Sequence, residues 1–475
     1  MDHSFDGRFF VALLGLFVFG YATSADAQIL QLQGAQPLPA VESDPRSEME
    51  ALYRRIEELE RKVAEPHRLP LPPTPLPPTG LPPEPIQPES FEFLPCESGE
   101  EPTCFFSKCV GYDKGFYVRT CDKNYSLKVN GMIQFRHYAD WRDTTTGDDF
   151  EQGFVVERAP LIFSGNVISP RLKYWYILQS SRVTGTSFLE EGKLIYTFEN
   201  GIQFQAGRFR NPAFLREMDI SYARQLAVER SYYNSVFATG VLQGITLSKQ
   251  HDWLRWIAFL NDGRGSGSSA RNKDFYQNNS DMAISLATDI KFFGEWAQYG
   301  DFTSWPDEDP ALFLGMAMFY ENPEMGDNDP ANNLNHFISY ATDLTYESHG
   351  FAAFGSLVAR NSMAESQNIN QYGALCQASY QVIPNHFEPF ARYEYIWFDG
   401  FTDVGSPAKP VNDSNLNILT AGFNWYFHRQ SCKFTIEAIH AFNEVPFSSP
   451  NVGLLADEAG ESGQTVLSSQ IQLFF

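Results

Sequence analysis

From Tyr125 to the last residue the chain is a train of segments in which apolar and polar residues alternate. The final segment, Thr465 to Phe475, shows the pattern most plainly. Leu467, Ser469, Ile471, Leu473 and Phe475 share one parity, and Val466, Ser468, Gln470, Gln472 and Phe474 share the other. Successive side chains of a strand point to opposite faces, so this strand is mostly apolar on one face and mostly polar on the other. The apolar face of a soluble sandwich meets a core. That of a barrel crossing an outer membrane meets lipid, while the polar face lines a wet lumen. The same parity holds elsewhere. Leu127, Val129, Ile133 and Phe135 oppose Lys128, Asn130, Gln134 and Arg136, and Leu419, Ala421, Phe423, Trp425 and Phe427 surround Asn424. A soluble sandwich would not stay aromatic on its outward face through so many strands.

The alternation predicts sixteen strands: 125–140, 153–167, 171–182, 187–199, 201–209, 239–250, 253–261, 280–290, 310–320, 334–346, 350–360, 370–382, 387–398, 415–428, 431–442 and 464–475. An even number suits an antiparallel barrel with both ends on one side. Connections alternate between short ones, such as Asn200 or His251-Asp252, and long ones at 141–152, 210–238, 262–279, 399–414 and 443–463. Short periplasmic turns and long external loops are the outer-membrane arrangement. Lys291 to Asp309 falls where a short turn is due, and it reads as an extended periplasmic turn, because a seventeenth strand would break the parity. The expected fold class is therefore all-β, a 16-stranded antiparallel transmembrane β-barrel over 125–475, preceded by a short coiled coil and a Pro-rich linker.

The preceding residues set the compartment. Phe9 to Tyr21 is apolar but too short to span a bilayer, and Ala25-Asp26-Ala27 follows as a small-x-small cleavage site, so residues 1–27 read as a signal peptide. Within 42–65, Met49, Leu52, Ile56, Leu59 and Val63 recur at spacings of three and four, the core positions of a coiled coil; the alternative is a single surface helix. Residues 66–95 carry 12 prolines, which suits an extended linker. The segment 96–124 forms a periplasmic collar with four cysteines, Cys96, Cys104, Cys109 and Cys121. In an oxidising compartment an even local count predicts two disulfides, with all three pairings open. The spacing is unlike a zinc ribbon, and no metal or cofactor is expected. Cys376 and Cys432 fall on the apolar parity and read as free, lipid-facing thiols. The formal charge of −23 argues against nucleic acid as a partner.

Several short stretches carry a family likeness. Gly111-Tyr112-Asp113-Lys114-Gly115-Phe116 and Leu127-Lys128-Val129-Asn130-Gly131-Met132-Ile133-Gln134-Phe135 come first, followed by Glu157-Arg158-Ala159-Pro160-Leu161 and Phe163-Ser164-Gly165. Gln205-Ala206-Gly207-Arg208-Phe209-Arg210-Asn211-Pro212, Val228-Glu229-Arg230 and Thr239-Gly240-Val241 complete the series. In this order, over 111–262 and with the terminal strand, they resemble the phosphate-selective porin O/P family of outer-membrane porins. The resemblance implies a trimeric sixteen-stranded barrel whose third loop folds inward to narrow the pore. It implies a homotrimer, and with outer-membrane lipid as the barrel's surroundings the even strand number puts both ends, and so the N-terminal coil and linker, in the periplasm of a Gram-negative-type bacterium. A closing aromatic, Phe475, is then expected to serve as the signal read by the barrel-assembly machinery.

A porin does no covalent chemistry; its function is a hole of set width with fixed charges along it. The inward parity predicts Lys128, Arg136, Arg158, Lys173, Lys193, Arg255, Arg392 and Lys433 on the pore wall, against Glu191, Glu394 and Glu437. The constriction loop carries Arg208, Arg210, Arg216, Arg224 and Arg230 against Glu217, Asp219 and Glu229. Both sets are net basic, so the channel is expected to favour small anionic solutes such as phosphate. Some of these cations could instead pair with wall acids, Arg392 with Glu394 and Lys433 with Glu437. Two other classes fit less well. An adhesin or cell-wall tether would rest on the coil and linker. An outer-membrane esterase would need a Ser-His pair, and His336 and His440 have no nucleophile motif nearby.

Overall fold

The computed structural model describes residues 109–144, 147–264, 280–323, 334–364, 368–398, 414–457, 461 and 463–475. The predicted signal peptide, coiled coil and Pro-rich linker, with Cys96 and Cys104, lie outside the described residues.

A small hairpin, β1 (Val110–Tyr112) and β2 (Phe116–Arg119), leads into the barrel. The wall then runs β3 (Ser126–Thr144), β4 (Gly147–Arg158), β5 (Leu161–Asn166), β6 (Leu172–Ser180), β7 (Ser187–Thr197), β8 (Gln203–Arg210), β9 (Val241–Gln250) and β10 (Leu254–Asn261). It continues with β11 (Ser280–Phe293), β12 (Ala311–Pro323), β13 (Leu334–Ser348), β14 (Phe351–Ala364), β15 (Asn368–Tyr380), β16 (Phe387–Phe398), β17 (Ser414–His428), β18 (Cys432–Ala441) and β19 (Gln464–Phe474). Every neighbouring pair is antiparallel. β4 and β5 pair in line along β3 and are separated only by Ala159-Pro160, where proline cannot supply a ladder N–H. They count as one wall strand, and the wall has the predicted sixteen.

Closure is made by β19 on β3, with Ile471 opposite Phe135 and Leu473 opposite Ile133. Beyond the strand, Phe475 exchanges both backbone hydrogen bonds with Gly131, at 2.8 and 2.9 Å. Its ring lies where a Cβ on residue 131 would sit, 2.7 Å from the nearest ring atom, so only glycine lets the last residue close the wall. Both termini of the wall and the shorter connections share one end, here the turn end; the loop of residues 211–240 leaves from the other, the loop end.

Burial is inverted relative to a soluble protein. Phe154 is 72% exposed and Leu357 58%, whereas Arg136, Glu394, Glu388 and Gln472 are fully buried. The apolar belt is the outside surface and the polar residues are the interior, the distribution of a lipid-facing wall. Cys376 is exposed and Cys432 half-buried, both on the outward parity.

Two predicted connections differ. Residues 141–152 read as a long external loop, but β3 and β4 continue as a ribbon through them, with Trp141 on Phe150 (ring centroids 5.1 Å) and Arg142 bridging Asp149 at 2.6 Å. Polar cross-strand pairs extend the ladder past the point where the apolar pattern ends. Residues 291–309 are a turn, as the parity requires, but the turn does not stay outside the barrel, as described below.

The described part of the collar is the β1–β2 hairpin, which adds to the edge of β3 at Ser126–Val129, just beyond the stretch of that edge paired by β19. Cys109 and Cys121 flank it with their sulfurs 2.9 Å apart. Oxidation is therefore expected to join Cys109 to Cys121, leaving Cys96 for Cys104. Peptide mapping of the unreduced protein checks this; a Cys104–Cys109 linkage would contradict it.

Candidate pore and its constriction

The loop between β8 and β9 crosses the lumen. Its base is pinched where Asn211 donates from Nδ2 to Thr239 Oγ1 (2.9 Å) and Ser285 Oγ (2.8 Å). It carries two short helices, α1 (Arg216–Asp219) and α2 (Tyr232–Phe237). The Ser231 hydroxyl caps α2 by accepting from the Asn234 N–H at 2.9 Å. Arg230 holds the fold of the loop by donating to the carbonyls of Glu217 (2.9 Å) and Ile220 (2.7 Å).

A loop inside a barrel has backbone groups that neither a helix nor a ladder satisfies. Here the far wall satisfies them. Arg136 donates to the Val228 carbonyl (2.9 Å), Arg392 to Glu229 (3.0 Å), Asn424 to Leu226 (2.9 Å), Lys433 to Gln225 (2.7 Å) and Gln472 to Ala223 (3.0 Å). Arg360 donates to the last carbonyls of α2, those of Val236 and Phe237, both at 2.8 Å. Wall acids take the N–H groups: Glu437 that of Val228 (2.9 Å) and Glu394 that of Tyr233 (2.7 Å). α2 can press this close to β15 because residue 373 is glycine; a Cβ there would overlap the rings of Phe237 and Tyr233.

One loop carboxylate carries the charge balance. Glu229 Oε2 lies 2.9 Å from Arg136 and 2.6 Å from Arg158, all three buried. Burial alone would raise this carboxyl; Arg158 and Arg136 outweigh it and hold it well below the usual carboxylate range. Beside it, the ring of Tyr222 is approached by three guanidinium groups, Arg158 at 4.2 Å, Arg230 at 4.5 Å and Arg210 at 5.2 Å.

A second segment enters from the turn end. Between β11 and β12, residues 294–310 fold into the barrel, burying Tyr299, Phe302, Thr303, Ser304 and Trp305. Phe302 packs on Phe354 (4.8 Å) and Trp305 on Tyr426 (5.1 Å). The two inward segments meet at Arg216, whose guanidinium lies 3.9 Å from the Tyr299 ring centroid and donates to the Tyr299 carbonyl at 3.0 Å.

Among the described residues a cavity of about 400 Å³ lies against β7 to β10, with Pro212 and Asp219 of the loop on its other side. Its charged lining is Lys193, Arg210, Lys249 and Arg255 with Glu191 and Asp219. Within it Arg210 bridges Glu191 at 2.5 Å, Lys193 reaches Glu191 at 3.6 Å, and Arg255 bridges Asp289 at 2.7 Å.

Of the cations named from sequence, Lys193, Arg210 and Arg255 therefore border open space. Arg136, Arg158, Arg392 and Lys433 are buried against the loop, and Arg216 and Arg230 are buried within or beneath it. Arg208 is buried on β8, its Nε without a hydrogen-bond partner among the described residues. Arg224 is exposed and reaches the Gly300 carbonyl at 3.4 Å. Lys128 and Lys173 lie near the turn end, half-buried and exposed. Of the two wall pairs, Arg392 bridges Glu394 at 3.0 Å, but Lys433 and Glu437 both turn to the loop backbone.

The wall count of three acids is too low. Glu157 and Glu190 are buried, and each is the extra residue of a bulge, at Gln134/Phe135 and Ile177/Leu178. A bulge puts two neighbouring residues opposite one, so strict alternation misassigns them. Asp289, Asp343, Glu347 and Glu388 are buried as well. Lys249 was missed for a related reason: it stands on the outward parity of β9, one residue from the strand's end, yet borders the cavity.

No family model matches the chain, and no curated protein matches it. Among solved structures, an anion-selective porin from Comamonas acidovorans superposes with a TM-score of 0.52 at 12% identity, covering 74% of this chain and 100% of that one. The chain has the porin fold. OmpF of Salmonella typhi, solved with daunomycin, gives 0.50 at 12% identity, covering 74% and 98%. At these identities the likeness is one of porin architecture: sixteen wall strands around a lumen.

Because Glu229 is the shared counter-ion of two buried arginines, Glu229→Gln is expected to weaken loop docking by about 3–5 kcal/mol, the cost of leaving buried charge unpaired. Limited proteolysis of the assembled barrel should show new cleavage between Asn211 and Ala238. The depressed carboxyl keeps Glu229 ionised above the ordinary carboxylate range and protonates it only in strong acid, so the Glu229 clamp on Arg136 and Arg158 should itself stay intact between about pH 5 and 8.

Proposed function

We propose that this protein is an outer-membrane porin, a water-filled channel for passive diffusion of small solutes that favours anions. The observation that carries the reading is the open cavity beside the inward loop, where Lys193, Arg210, Lys249 and Arg255 face Glu191, Asp219 and Asp289, the partner of Arg255. Two unit charges about 4 Å apart interact by about 1 kcal/mol in water and about 4 kcal/mol at an effective dielectric near 20. A small surplus of cations in a narrow passage therefore biases permeation even though the whole chain carries −23. The buried ion pairs elsewhere in the lumen are self-neutralising and contribute to docking of the loop. The resemblance of residues 111–262 to the phosphate-selective porin O/P family supports the inward third loop and keeps phosphate among the candidate solutes. It also supports a role without catalysis, and the even number of wall strands supports an N-terminal segment in the periplasm.

Reversal potentials under a potassium chloride gradient test the selectivity. Wild type is expected to prefer chloride, and the pair Lys193→Gln with Arg255→Gln to lose most of that preference. Cation preference in the wild-type channel would reject anion selectivity while leaving the porin reading in place.

The same resemblance, with the stacked and exposed Phe135–Phe154 pair (ring centroids 5.7 Å) on the outer face of β3 and β4, supports a homotrimer. Native mass measurement in mild detergent should give three copies; a monomer would contradict this.

A further inference from the structure

We infer that residues 294–310 are a second, fixed constriction, which closes most of the turn-end mouth and confines solutes to the β7–β10 side. The inference rests on the porin reading and adds to it the element that sets the size limit. The segment begins and ends on adjacent strands, β11 and β12, so a tight turn would suffice to join them. Instead it is tied to four other turn-end connections. Trp296 Nε1 donates to the carbonyls of His251 and Asp252, both at 2.9 Å, between β9 and β10. Ser304 accepts from the Gly350 N–H at 3.2 Å between β13 and β14, and its carbonyl accepts from Gln381 at 3.1 Å after β15. Thr303 accepts from Gln430 at 3.1 Å and Asp307 bridges Arg429 at 2.8 Å, between β17 and β18. A chain stretched from the β9–β10 turn to the β17–β18 turn lies across the mouth.

The ties also show why it is fixed and not a swinging gate. Irregular backbone at membrane depth persists only where protein or a wet cavity satisfies it. Here protein does so: aromatic side chains at Tyr299, Phe302 and Trp305 are buried against the wall, and Thr303 and Ser304 between them are bonded to the rim. On its lumen side the segment is bound to the constriction loop, through Arg216 to the carbonyls of Tyr299 (3.0 Å) and Asp301 (3.3 Å) and through Arg224 to Gly300 (3.4 Å). The two inward segments thus form one joined body, and the cavity lined by Gln203, Gln205 and Gln250 with Pro212 and Asp219 of the loop lies on its β7–β10 side.

The test replaces residues 295–309 with Gly-Ser-Gly and compares single-channel conductance and liposome swelling in sugars of increasing size. The expected result is a rise in conductance of roughly twofold or more and passage of larger neutral sugars, since flow follows the narrowest section. If the replacement does not assemble, judged by loss of the heat-dependent gel shift, the paired substitution Phe302→Ala and Trp305→Ala is read in the same way. A wild-type channel whose conductance and sugar limit do not change on either alteration overturns the inference and leaves the porin reading standing. No conductance from wild type or variant overturns both. A silent wild type whose variant conducts supports the constriction in its strongest form.

Discussion

A peptide segment placed inside a barrel has carbonyls and N–H groups that no ladder can satisfy, and here the wall supplies their partners. Arg136, Arg360, Arg392, Asn424, Lys433 and Gln472 all donate to loop carbonyls, and Glu394 and Glu437 accept from loop N–H groups. Leaving such groups buried and unpaired costs about 1–3 kcal/mol each, so the polar lumen face and the inward loop require one another. Without the loop the buried arginines would lack acceptors; without the wall the loop would have no reason to leave solvent. Glu229, between Arg136 and Arg158, adds the charge neutrality that makes the junction tolerable at low dielectric.

This docking is lopsided. The loop leaves β8 and crosses to the strands opposite, β14 and β16 to β19, so the unfilled space lies next to β7 to β10. The segment 294–310 repeats the arrangement from the other end with fewer charges and more aromatic packing. Most cations that touch the loop are occupied in holding it; Arg210 does both, reaching the Ile220 carbonyl at 3.5 Å while it borders the cavity. Those that remain beside open space are Lys193, Arg210, Lys249 and Arg255, and a solute would meet those. Charge in this lumen therefore serves two purposes that a count along the sequence adds together.

The bulges show how a local irregularity changes such a count. Glu157 and Glu190 each stand as an extra residue beside a partner strand that has none, and both turn into the interior next to residues that already face it. A one-residue insertion in the ladder thus brings two more carboxylates to the basic cluster around Tyr222. Glu157 bridges Arg182 at 3.0 Å and lies 4.0 Å from Arg136, so it offsets part of the positive charge there.

The two-residue period determined the strands, their number and which face meets lipid, because each strand reports its own environment through the identity of every second residue. The sequence by itself also marked 291–309 as something other than a strand and 211–238 as the segment to watch. Only the tertiary structure decided that 294–310 turns inward as well and meets the loop at Arg216, that Arg136 and Lys433 hold backbone while Lys193 and Arg255 border space, and that Cys109 faces Cys121. The reason is physical. Alternation is a property of one strand and can be read along it, whereas a side chain's role inside the lumen depends on which segment crosses in front of it, and that is fixed by contacts between residues far apart in the chain, such as Gln472 and Ala223, 249 positions apart.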